Sequence, residues 1–280
     1  MKKILLIFLL LGLFGGWVEK PNEKEKTEVS LANLEEAKIY FSNGNIKFEL
    51  GDFEGAISDY TKAIELNPKN AKAYCNRGSA KEEIKDSKGA ILDFNKSIEL
   101  DPNNSLTYNN RGLTKHNLKQ YEEAILNFNK AIELSPENAE TYYNRGNSKN
   151  RLKQYEEAIL DYDKAVRLNP QYTDAYYNRG LTKDTLKLHK EAISDYDKAI
   201  ELDTNFIAAY NNRGATKHDL KNYIGAILDF NKAIELNPKF AEAYFNRGNA
   251  RYKLKNYIGA NSDFKKANEL NPELINPYKN

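Results

Sequence analysis

Positions of like character recur along this chain at spacings of three and four. Between residues 105 and 138, Tyr108, Gly112, Lys115 and Leu118 mark one helix face, and Tyr121, Ala124, Ile125, Phe128, Ala131 and Ile132 mark a second. Ser135-Pro136 closes the second helix, because proline cannot continue a helix and disfavours helix in the residue before it. The unit is therefore helix, short turn, helix, turn. It returns at a fixed period of 34 residues, marked by Gly44, Gly78, Gly112, Gly146, Gly180, Gly214 and Gly248. From the second copy onward the glycine stands in a Tyr-x-Asn-Arg-Gly frame, as in Tyr108-Asn109-Asn110-Arg111-Gly112. A period of this length predicts a stack of supersecondary units in place of one closed globule.

Small residues at Gly112, Ala124 and Ala131 let helix axes approach closely, with aromatic side chains filling the gaps. The frame resembles the tetratricopeptide repeat family. The matching residues are Tyr108, Gly112, Ala124, Phe128, Ala131 and Pro136 in the third copy and Tyr142, Gly146, Ala158, Tyr162, Ala165 and Pro170 in the fourth. The resemblance implies an all-α fold, a right-handed superhelical solenoid of helix-turn-helix repeats.

Two departures from that family's frame recur. Arginine precedes the glycine at Arg77, Arg111, Arg145, Arg179, Arg213 and Arg247, and a cation follows it at Lys47, Lys81, Lys115, Lys149, Lys183, Lys217 and Arg251. Where both are present they lie four residues apart, share a helix face and repel unless paired. An acid recurs 16 residues after the arginine at Asp93, Asp161, Asp195, Asp229 and Asp263, with Asn127 in its place once. This stepwise match predicts an Arg–Asp ladder between packed helices, one rung per repeat. The alternative is a cationic strip that binds anions.

The predicted organisation is a signal peptide or short membrane anchor over 1–18, a disordered charged linker over 19–30, a seven-repeat solenoid over 31–274 and a tail over 275–280. Met1-Lys2-Lys3 followed by the apolar run 4–18 reads as an export signal, too short for a full membrane span. Ser30 is the expected N-cap of the first helix. In the seventh copy Asn261 and Asn268 replace isoleucine or valine on one face, as a polar solenoid end requires. Leu274, Ile275 and Tyr278 are expected to cover apolar surface left there.

Family resemblance places Asn76, Asn110, Asn144, Asn178, Asn212 and Asn246 on a concave groove. An amide both donates and accepts, which suits an extended polypeptide of varied sequence; the competing reading is that these amides bond neighbouring helices. Adjoining positions vary from copy to copy, and Tyr143, Tyr177, Phe245 and Tyr252, with Asn147 and Asn249, are the expected binding residues. Other proteins or peptides are the expected partners. Glu82, Glu83, Asp184 and Asp219 near the groove favour neutral to basic ones.

Charge excludes little else. The net charge of +2 is accounted for by Lys2, Lys3 and Lys20 against Glu19, so the array is neutral and lacks the basic excess of a nucleic-acid protein. A lone Cys75 makes no intrachain disulfide and no thiolate metal site. The three histidines, His116, His189 and His218, stand in no arrangement for metal or nucleophilic chemistry. No catalytic residue, cofactor or metal is expected, and membrane association only through 4–18. The expected function is an exported, non-catalytic scaffold that binds polypeptide in its groove. The alternatives are a self-associating structural envelope protein and, less favoured, a glycan binder or enzyme accessory subunit.

Overall fold

A computed structural model describes residues 23–278, with side chains described from residue 31. The predicted signal segment 1–18 and linker residues 19–22 lie outside them. Fourteen α-helices, and no strand, occur among the described residues. They fall into two compact units, divided after Lys85.

The first unit holds α1 (Glu23–Glu49), α2 (Phe53–Leu66) and α3 (Ala71–Glu83). Tyr60 and Ala56 are fully buried between α1 and α3, with Phe41, Phe48 and Ile57 packed against them. Helix α1 starts seven residues before Ser30, which therefore lies inside the helix and does not cap it; residues 23–30, read as linker, are helical. Glu and Lys are good helix formers, and extending an existing helix costs far less than nucleating one.

The second unit holds α4 (Ser87–Leu100), α5 (Ser105–Asn117), α6 (Tyr121–Leu134), α7 (Ala139–Arg151), α8 (Tyr155–Leu168), α9 (Thr173–Thr185) and α10 (His189–Leu202). It continues through α11 (Ile207–Asp219), α12 (Tyr223–Leu236), α13 (Ala241–Lys253) and α14 (Tyr257–Leu270). Each helix packs on the next, and each first helix of a repeat also touches the first helix of the following one: α5 on α7, α7 on α9, α9 on α11, α11 on α13. No two successive second helices touch in this way among the described residues. The first helices of this unit are therefore an inner row and the second helices an outer one.

The sequence sets these elements locally. Asp86, Asn104, Asn138, Asn222 and Asn256 cap helices with side-chain oxygens. Second helices end at Asp101, Ser135, Asn169, Asn237 and Asn271, each before a proline. The turn inside each repeat uses a left-handed residue: Gly51 at φ 78° in the first copy, and Lys85, Lys119, Lys153, Lys187, Lys221 and Lys255 at φ 61–66° in the rest. The recurring glycine is required by close approach. A β-carbon on Gly112 would stand 2.6 Å from the Phe128 ring and one on Gly44 2.6 Å from the Tyr60 ring.

At the far end Asn261 and Asn268 are exposed, as expected for the last repeat. Tyr278 stacks flat on Tyr252, centroids 3.6 Å apart, and tilts against Phe264 at 5.9 Å. The tail thus covers the end with Tyr278, whereas Ile275 is 69% exposed.

Candidate functional site

The predicted ladder forms between the helices of four repeats in the second unit, at Arg145, Arg179, Arg213 and Arg247. Arg145 on α7 donates from Nε to Asp161 Oδ2 at 2.9 Å and from Nη2 to Oδ1 at 2.5 Å. Its Nη1 reaches the preceding second helix, donating to Asn129 Oδ1 at 2.7 Å. Lys149 adds a second cation to Asp161 at 2.8 Å. The rungs of Arg213 and Lys217 on Asp229, and of Arg247 and Arg251 on Asp263, repeat this arrangement. At Arg179 the pattern is the same, with Asp163 as the Nη1 acceptor at 2.6 Å and Lys183 on Asp195 at 2.8 Å. In the first unit Lys47 pairs with Asp59 at 2.7 Å. Each arginine also lies over the ring of the tyrosine three residues before it, 5.3 Å from the Tyr176 centroid at Arg179.

Burial works against charge on Arg179 and Arg213, but the hydrogen bonds they donate to Asp195 and Asp163, and to Asp229 and Asp197, outweigh it and hold both above the ordinary arginine value. Arg111 is the exception. Asn127 stands where aspartate should be, and burial holds Arg111 below its ordinary value.

The amides expected to face the groove are tied to the repeat before them. Asn178 Nδ2 donates to Tyr143 Oη at 2.9 Å and to Asn147 Oδ1 at 3.1 Å. Asn212 donates to Tyr177 Oη at 2.8 Å, Asn246 to Asn211 Oδ1 at 3.1 Å and Asn144 to Asn109 Oδ1 at 3.4 Å. In the first unit Asn76 donates to Asn45 Oδ1 at 2.9 Å. Asn110 is half-buried at the same place on α5. These nitrogens thus staple successive inner helices, and Tyr143 and Tyr177 are held as acceptors. Their rings pack against the entry to the next repeat, Tyr143 on Tyr172 at 4.8 Å and Tyr177 on Phe206 at 4.6 Å. Both remain partly exposed, with hydroxyls that burial pushes above the usual tyrosine value. Asn147 is further engaged by Tyr162 Oη at 2.8 Å. Phe245 stands edge-on to Phe264 at 5.7 Å, and Asn249 is half-buried beside it on α13. Tyr252 departs from expectation: the chain's own Tyr278 occupies its face.

Sequence reading passed over one column of contacts. His116 Nδ1 lies 2.8 Å from Ser148 Oγ, and Asn150 donates to Thr182 Oγ1 at 2.5 Å, each bridging successive inner helices at a separation of 32 residues. The signal is a pairing two residues short of the period, visible only once the helices are known to be neighbours.

TPR-repeat models match residues 44–84, 116–152 and 216–255, and tetratricopeptide-repeat models match 71–104, 94–125, 139–172, 173–206 and 241–274. The chain belongs to the tetratricopeptide repeat family. Among solved structures of this family, YrrB, described as a TPR protein with an unusual peptide-binding site, is 28% identical with a TM-score of 0.58, over 66% of this chain and 95% of its own. A MamA structure is 33% identical with a TM-score of 0.56, over 59% of this chain and 96% of its own. A tetratricopeptide repeat protein from Parabacteroides merdae shares the fold at 20% identity, with a TM-score of 0.64 over 86% of this chain and 98% of its own. No curated protein matches the chain.

As a tetratricopeptide repeat array, the chain holds its inner and outer helices in a frame tied by the rungs. Among the described residues no three histidine, cysteine or acidic side chains gather as metal ligands, and no helix is long and apolar enough to cross a membrane. Cys75 is buried, 2% exposed.

Proposed function

We propose that this chain is a non-catalytic protein-interaction scaffold that binds an extended peptide segment along the inner row of first helices. The observation that carries the reading is the pairing of variable aromatic side chains with invariant amides. Tyr143 and Tyr177 are fixed by Asn178 and Asn212 yet keep exposed ring surface. A rigid aromatic surface loses little entropy on binding, which is what a hot spot needs. The amide nitrogens act in preorganising these anchors, while Asn147, Asn249 and Phe245 extend the same face. Neutral to basic peptides are the favoured partners, because Asp184 and Asp219 flank the row. The peptide-binding description of YrrB supports the class of ligand.

An array of extended peptides of varied charge, probed with the purified chain, tests this. Neutral or basic peptides are expected to bind, with loss of about tenfold or more in Tyr143→Ala/Tyr177→Ala, at unchanged helicity by circular dichroism. Equal binding by the double variant would overturn the groove assignment. A second reading, self-association, is favoured by the outward leucines Leu92, Leu126, Leu160 and Leu228, 65–69% exposed. Light scattering separates the two, since only the second requires a stable oligomer.

Export is part of the proposal. It rests on Met1-Lys2-Lys3 and the apolar run 4–18. Cell fractionation tests it, and recovery of the full chain in the cytosol alone would count against it.

A further inference from the structure

The ladder lacks a carboxylate at one rung, and an open cavity lies there. Asn127 is the single amide at a position held elsewhere by Asp59, Asp93, Asp161, Asp195, Asp229 and Asp263. Its Oδ1 accepts from Arg111 Nε at 2.6 Å, and Asn95 Oδ1 accepts from Nη1 at 2.7 Å. In the rungs of Arg145, Arg213 and Arg247, Nη2 bonds the second carboxylate oxygen; at Arg111 that nitrogen has no partner among the described residues. Asn127 turns its own nitrogen to the Glu123 carbonyl at 2.7 Å, so it offers no second acceptor to Nη2. Lys115, the second cation of this rung, has lost its aspartate and pairs instead with Glu123, whose side chain is 54% exposed.

These residues line one cavity of about 300 Å³. Two cations face a single carboxylate there, as at Arg145 and Arg247, but here that carboxylate bonds only the lysine and leaves the arginine fork without one. A cation this close to the interior is costly without a counter-ion. An arginine fork presents fixed donors to an oxyanion, and the lysine ammonium has donors beyond the one Glu123 uses.

We propose that the incomplete rung is a binding site for a small oxyanion, a phosphate or a carboxylate group, held by Arg111 Nη2 and Lys115 Nζ where the other rungs hold an aspartate. The open donor of Arg111 favours one bound anion per chain. This site lies between a first helix and the second helices, so it stands apart from the inner-row reading.

The full-length chain, titrated with sodium phosphate, sodium acetate and sodium chloride at matched ionic strength, tests the site. The readout is the Arg111 side-chain resonance by NMR, assigned with Arg111→Lys. Saturable movement of that resonance with phosphate is expected, while Arg179 and Arg213 stay still. A like response to acetate would make a carboxylate an equal occupant; response to phosphate alone would assign phosphate. Both support the site. Asn127→Asp fills the rung from within the chain and is expected to weaken binding by about tenfold or more. Asp161→Asn is expected to add a second saturable signal, at Arg145. Equal movement with chloride, or binding unchanged in Asn127→Asp, would overturn the proposal. Because Asn127→Asp restores the arrangement of its neighbours, it keeps the test independent of misfolding.

Discussion

The rungs at Arg179 and Arg111 occupy the same place in two copies of one repeat, and they differ at both acceptors: Asp195 and Asp163 in one, Asn127 and Asn95 in the other. Under Arg179, Asp195 is only 5% exposed by its side chain and takes both the guanidinium and Lys183. Under Arg111, Asn127 is buried as well, but answers one nitrogen of the fork and leaves Lys115 to find Glu123. Burial is shared, so burial alone does not decide whether the cation is at ease. The partners do: burial is outweighed by two carboxylates at Arg179, which is held above its ordinary value, and not by the two amides at Arg111, which burial holds below it. A repeat protein can thus keep its shape through a change that alters the charge held between its helices.

Truncating the two partners gives the largest expected separation. Asp195→Ala strips Lys183 of its carboxylate and leaves Arg179 with Asp163 alone, and is expected to cost about 3–5 kcal/mol. Asn127→Ala removes a hydrogen bond at a site already without a carboxylate and is expected to cost about 1 kcal/mol. Urea denaturation followed by circular dichroism measures both, and equal costs would void the distinction between rungs. A change remote from either rung sets the scale. Lys153, at φ 62°, occupies the left-handed turn position that Gly51 fills in the first copy. Lys153→Gly is expected to gain about 0.5–1 kcal/mol in the same assay, and a loss would show that the lysine side chain contributes more than its backbone costs.

The smallest effect concerns His116, in the same repeat as the incomplete rung. Burial, and then Arg151, hold its ring below the ordinary histidine value of 6.5. The folded chain therefore keeps the ring neutral at a pH where the unfolded chain protonates it. Its contribution is complete above the unfolded value and is lost as pH falls below it. Stability is expected to decline between pH 7.5 and 5.5, and less so in His116→Asn. Parallel profiles would assign the decline elsewhere.

Much of this was legible before the helices were placed. The fold followed from a 34-residue period in which Gly112, Ala124 and Phe128 each have one geometric task. The rungs were legible because acid and base recur in step. Other features carry no such signal. The acceptors of the stapling amides change in kind, from Tyr143 Oη to Asn109 Oδ1, so no repeated partner betrays them. The early start of α1 was hidden by charge, which reads as linker although Glu and Lys favour helix. Tyr278 on Tyr252 lies outside the period altogether, and a tail has no neighbour in sequence to predict from.

The third nitrogen of each arginine has a consequence for how such an array grows. Nη1 takes its acceptor from the copy before it, whether that copy offers Asn95, Asn129, Asp163, Asp197 or Asn231. Amide and carboxylate oxygens both accept there, at 2.6–2.7 Å. A unit set beside any other in this stretch would find that bond again, so the arginine contact by itself imposes no order on the copies.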